Sequence, residues 1–256
     1  EGYWDYIKFR NYSSDDSSSI ENSTIEYAST GLTIVDASPT ITNTLFQYNI
    51  APIRISNAYS INKNIYGNTY IDNDQQFIEV SQSDMIYDGR RTWLADGAPY
   101  LLLGDLTVKA SDNPDHLAVL HIAEGTTIQM NSGGRIYIGD DNNQNYKGAL
   151  QANGVTFTRG VNNSEGYWDY IKFRNYSSDD SSFIENSTIE YADMGLYLTD
   201  AGPTITNTIF QYNDIGIENN GASSPPINRN YFLENSTAIR LNTSGLPEYI
   251  IGNYPG

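Results

Sequence analysis

Cysteine is absent from these 256 residues, so neither disulfides nor thiolate metal centres hold the fold together. Stabilisation has to be spread along the chain instead. Basic residues are scarce: 14 Lys and Arg stand against 31 Asp and Glu, a formal net charge of -17. That balance excludes a nucleic-acid partner, whose phosphates need a basic face, and an anionic membrane surface for the same reason. No run of about 18 apolar residues occurs, so no segment reads as a membrane span. No signal-peptide pattern opens the chain, which starts at Glu1-Gly2-Tyr3-Trp4 without a methionine, and we expect it to be an internal piece of a larger protein.

What is present argues for a folded chain: 39% of residues are hydrophobic and 12% aromatic, with 21 tyrosines. A long repeat organises them. Residues 1–50 return at 165–214, offset by 164, with only nine positions changed. A unit that long exceeds any single helical or leucine-rich repeat, so it has to contain smaller coils. Their period is visible inside each copy. Ile20-Glu21-Asn22 is followed 21 residues on by Ile41-Thr42-Asn43, and Ile25-Glu26-Tyr27 by Phe46-Gln47-Tyr48. In the second copy Ile184, Ile205 and Ile227 keep spacings of 21 and 22. Short alternating segments at this period describe a strand-based solenoid, and the three- and four-residue apolar spacing of a helix is missing.

The fold class that follows is all-β: a right-handed, single-stranded parallel β-helix with coils of about 20–25 residues. Each coil carries about three short strands, separated by turns rich in Asn, Gly, Asp and Ser. Coils stack at about 4.8 Å, so Ile20 sits on Ile41 and Ile184 on Ile205. Asn22 over Asn43, and Asn186 over Asn207, are expected to form asparagine stacks that hydrogen-bond from coil to coil. Three stretches are distinguished. Residues 1–91 hold the coils of the first copy and 165–256 those of the second; 92–164 breaks the 21-residue register and reads as irregular coils or the start segment of the next unit.

The asparagine stacks resemble the ladder of the pectate-lyase-like solenoids. The Trp-x-x-Ile-x-Phe openings (Trp4 to Phe9, Trp168 to Phe173), the Glu-Asn-Ser-Thr-Ile-Glu-Tyr-Ala segment and the Pro-x-Ile-x-Asn-x-x-Phe segment resemble the β-helix repeat modules of very large archaeal and bacterial cell-surface proteins. The resemblance spans nearly the whole chain. It implies an extracellular or cell-surface building block, in a surface layer, sheath or adhesin-like protein. The same solenoid also carries polysaccharide-degrading enzymes, so architecture alone does not choose among these roles.

Candidate chemistry is sparse. Asp15-Asp16 and Asp179-Asp180, each within Ser-Ser-Asp-Asp-Ser-Ser, are candidate cation ligands, and so are Asp140-Asp141 in an oxygen-rich loop suited to calcium. The competing reading of each is a solvated polar turn. Gly139-Asp140-Asp141 also matches, over three residues, the acidic site of polygalacturonase-type glycosidases, where two carboxylates divide acid and base roles. A lyase would need a basic residue beside such carboxylates; Arg90-Arg91 are the nominees. Both histidines, His116 and His121, fall in a strand-like segment, and His121 is expected to point outward. Seven Asn-x-Ser/Thr sequons occur. Asn11, Asn162, Asn175, Asn235 and Asn242 are candidate glycan acceptors, whereas Asn22 and Asn186 are assigned to the stacks.

The leading functional expectation is a structural, non-enzymatic element: a filament, sheath, surface layer or rod-like stalk that adds length by repetition. Partners would be further copies, by head-to-tail stacking of end coils or by lateral assembly. A carbohydrate-binding adhesin that stacks sugars on tyrosines is the alternative, with a polysaccharide lyase or glycosidase behind it. No cofactor is expected beyond calcium.

Overall fold

A computed structural model describes every residue except 1, 12, 14–16, 82, 162–165, 243–249, 252–253 and 256. Strands of two to seven residues alternate with short turns along the whole chain. All paired strands are parallel and pair three positions apart in the chain, so that one coil contributes one strand to each of three faces. On two of the faces the pairing is interrupted once, after Ile65–Tyr66 and Thr69–Ile71, and new sheets start at Ser83–Ile86 and Gly89–Trp93. This is a parallel β-helix. The longest sheet has eleven strands, two others have seven and two have three. Among the described residues no helix is long and apolar enough to cross a membrane.

Alternation explains the strands. In Ala118–Ile122, Ala118, Leu120 and Ile122 are buried while Val119 and His121 are half-buried on the outer side; Arg135–Ile138 and Thr204–Thr206 follow the same two-residue rule. Stacking then converts each inward position into a column. Leu32, Ile53, Ile78, Tyr100, Ile128, Phe157, Ile189, Phe210 and Phe232 stand one above the next, all buried. Each such side chain contributes about 1.5–3 kcal/mol by leaving water. Ile20 sits on Ile41 and Ile184 on Ile205 in the expected register, as does Ile25 on Phe46.

Coil length varies. The steps from Leu32 to Ile53 and from Ile189 to Phe210 keep the short period, but those from Tyr100 to Ile128, Ile128 to Phe157 and Phe157 to Ile189 are longer, each more so than the last. The longer coils lie largely in the stretch where the short sequence period fades. Extra residues are absorbed in turns, because strand pairing continues through the stretch without a break.

The two copies do not occupy equivalent sheets. Thr24–Glu26 lies in a three-stranded sheet, and its counterpart Thr188–Glu190 in the eleven-stranded one. Thr30–Ile34 lies in the eleven-stranded sheet, and its counterpart Ala192–Leu198 in a seven-stranded one. The cause is numerical: among the described residues Trp168–Phe173 is the nineteenth strand after Ile7–Phe9, one more than six coils of three.

Candidate functional site

The tight turns share a two-residue pattern. One residue adopts a left-handed conformation and points outward; the next points toward the core edge, and where it is asparagine it bonds the coil below. Asn22, Asn43, Asn186 and Asn207 are the left-handed members, with φ of 51, 49, 49 and 52°. All four are exposed. They keep the expected register, the Asn22 amide donating to the Thr42 carbonyl and the Asn186 amide to that of Thr206, and Asn186 donates from its side chain to Asn153 on the coil below at 2.8 Å. These contacts lie at the surface, because positive φ, which asparagine tolerates, turns the side chain to solvent.

The ladder runs beside them. Asn49, buried at 0% exposure, accepts from the Ala28 amide at 2.9 Å and donates to the Ile25 carbonyl at 3.0 Å. Asn73 repeats the pattern one coil higher, accepting from the Asn49 amide and donating to the Phe46 carbonyl. The second copy reproduces it: Asn213 holds Ala192 and Ile189, and Asn235 holds the Asn213 amide and Phe210. A second column runs from Thr44 to Asn68 to Asp96, and Asn230 holds Thr208 in the later copy. Buried backbone groups beyond the reach of the strands are satisfied in this way. The sequence signal for these columns was present, since Asn49 and Asn213 each follow a tyrosine. Choosing between neighbouring asparagines required the turn geometry.

This exchange bears on three sequons. Asn22 and Asn186, set aside as ladder residues, are exposed; Asn235, named as an acceptor, has its amide nitrogen donating to Phe210 at 2.8 Å. Asn11 and Asn175 are exposed turn residues, and exposed Asn242 donates to Glu218 at 2.9 Å. Asn162 lies outside the described residues.

Tyrosines occupy the left-handed position of the other turn. Tyr27 stacks on Tyr48 with ring centroids 5.4 Å apart, and Tyr191 on Tyr212 at 5.3 Å. Left-handed backbone costs a non-glycine residue about 1–2 kcal/mol, and an aromatic pair returns about 0.5–1.5 kcal/mol. These pairs are thus explained as turn columns.

The acidic loop is engaged internally. Asp140 accepts from the amides of Asn142 and Asn143 at 2.9 and 3.1 Å, and Lys109 lies 3.7 Å from its other oxygen. Partial burial works against ionisation there, but those amides, Lys109 and Arg174 outweigh it and hold the carboxyl below its ordinary range. A general acid needs the opposite shift. Asp141 pairs with Lys172 at 3.0 Å and with Arg174 at 3.7 Å. Asp179 opens a 3-10 turn, Asp179–Ser181, beside Asp180, and burial raises its pKa. Asp15 and Asp16 lie outside the described residues. Among the described residues no three His, Cys, Asp or Glu side chains gather at metal-binding distance.

His121 lies on the outer side of its strand, and burial together with Arg90 and Lys63 lowers its pKa. His116 is not in a strand; it sits in the turn before Ala118, with Ser111 Oγ at 2.9 Å and Asp88 Oδ2 at 2.8 Å. Sequence reasoning missed this cluster of Asp88, Ser111 and His116, because its aspartate comes from the preceding coil. Both partners face the same ring nitrogen, Nδ1, whereas a nucleophile relay needs one on each nitrogen. The cluster closes a turn.

No protein-family model matches the chain, and neither a curated protein nor a solved structure is significantly similar to it.

Proposed function

We propose that the chain is a structural building block, a stiff stretch of a rod within an extracellular or cell-surface filament, sheath or surface layer. The observation that carries this reading is the near-identical segment 1–50, which returns at 165–214 within one stack of coils. Duplicated coils add length directly, whereas an enzyme gains little from copying its scaffold. The engagement of Asp140 and Asp141 by lysine, arginine and backbone amides supports the same reading, as does the resemblance to surface-protein modules. Copies would join through the open edges of end coils, where unpaired strand groups invite a further strand.

Electron microscopy and small-angle scattering test the reading, using this chain and a version lengthened by one more copy of the unit. Six and a third coils at about 4.8 Å predict an increase of about 30 Å along the axis per unit. Rods, filaments or lattices that lengthen by that step are the expected result. Compact particles of unchanged length would overturn it.

A further inference from the structure

A surface cleft of about 540 Å3 opens where the coil path changes. Its origin is a mismatch between two coils. Strand Ile65–Tyr66 has only two residues and is preceded by a 3-10 turn, Ala58–Ser60; strand Gly89–Trp93 has five. The Lys63 amide donates to the Thr92 carbonyl at 2.8 Å, so the longer strand lies over this segment and its first residues overhang the turn. The indentation is lined by Thr40, Tyr59, Asn62, Lys63, Asn64 and Arg91. No aliphatic side chain lines it.

Its charge is opposite to that of the molecule. Lys63 is exposed, and among the described residues neither it nor Arg90 nor Arg91 has a carboxylate partner, in a chain of net charge -17. The Arg91 guanidinium lies 3.9 Å from the Tyr59 ring centroid and 5.7 Å from that of Tyr87, which fixes its plane at the cleft wall. Its Nε is closed off from solvent, so contact with a ligand falls to the rest of the guanidinium. A planar guanidinium without a carboxylate partner, an ammonium on the same cleft and a wall of hydroxyl and amide groups match a carboxylated, hydroxyl-rich ligand. A peptide anchor would call for apolar surface, which the lining lacks.

We infer that this cleft binds a hexuronate unit of an acidic polysaccharide, its carboxylate held by Arg91 and Lys63 and its hydroxyls by Tyr59, Thr40 and Asn62. The site is not duplicated: at the repeat offset Ser223 takes the place of Tyr59, and Pro255 that of Arg91. It is a single binding point on a repeated scaffold, and it stands independently of whether the chain forms rods.

Calorimetric titration of the whole chain tests it, with tetramers of mannuronate and of galacturonate, neutral mannotetraose, and the peptide Ser-Ser-Asp-Asp-Ser-Ser as probes. At least one uronate tetramer is expected to bind, more weakly at high salt, with mannotetraose and peptide at least about tenfold weaker. Lys63→Gln and Arg91→Gln are each expected to weaken uronate binding about tenfold, the loss of one charge-assisted contact. Because Lys63 is exposed, Lys63→Gln keeps the parent melting temperature, and lost binding then reports the site. Failure of both uronates to bind, equal binding of mannotetraose, tighter binding of the peptide, or unchanged affinity in both variants would each overturn the assignment.

Discussion

At the scale of single residues, the fold separates two asparagines that look alike in sequence. Asn207 lies in left-handed backbone with its side chain in solvent, while Asn213 spans two coils from a buried position. Asn213→Ala leaves the Ala192 amide and the Ile189 carbonyl without partners and is expected to cost about 3 kcal/mol. Asn207→Ala loses only the tolerance for positive φ, about 1 kcal/mol. Chemical denaturation of the two variants measures the contrast. Asp96 is the rung where a carboxylate replaces the amide, taking the Asn68 amide at 2.9 Å and the Tyr70 hydroxyl at 2.5 Å while 2% exposed. Burial raises its pKa above the ordinary carboxylate value, with those hydrogen bonds opposing the shift. The folded chain therefore holds this proton more tightly than the unfolded chain, so the group favours folding at low pH and loses that effect as pH rises through its raised pKa. Thermal melts of Asp96→Asn should show its melting temperature rising relative to the parent between pH 4 and pH 7. A constant difference would contradict the assignment.

At the scale of the element, what matters is how closely one coil approaches the next. Gly195 begins the inward part of strand Ala192–Leu198, and a Cβ there would stand 2.6 Å from the Gly216 carbonyl oxygen on the coil above. Gly31 meets the Pro52 carbonyl at the same distance in the first copy. The obstacle is backbone, which cannot rotate away. Gly195→Ala is expected to lower stability by about 1–3 kcal/mol, as overpacking does, with hydrogen exchange accelerating first at Ile215–Asn219, the strand pressed by the new methyl. The indole N–H of Trp168 donates to the Glu190 carbonyl at 2.8 Å, and that of Trp4 to Glu26 at 2.7 Å, so the same turn contact is built twice. Trp168, with a coil beneath it, is 0% exposed.

At the scale of the whole molecule, the repeat and the coil are incommensurate. A unit of nineteen strands on a three-strand coil places the segment in a different sheet when it recurs at 165–214. In a longer array, surface features such as the stacked tyrosine turns would be presented on successive faces. The proposed rod would then expose its repeated chemistry around its circumference, which would suit lateral contact in more than one direction. A net charge of -17 works against indiscriminate association, since like-charged molecules repel.

The sequence alone determined the parallel solenoid and its register, because stacking turns a 21-residue period directly into columns: Ile20 on Ile41 and Ile184 on Ile205 required no knowledge beyond the spacing. It also marked the stretch 92–164 as different. Tertiary structure decided which asparagine of a turn faces inward, because a single left-handed residue reverses side-chain direction and leaves no trace in spacing. It also decided that Lys63, Arg91 and Tyr59 share one cleft, since that proximity depends on the unequal lengths of two stacked strands.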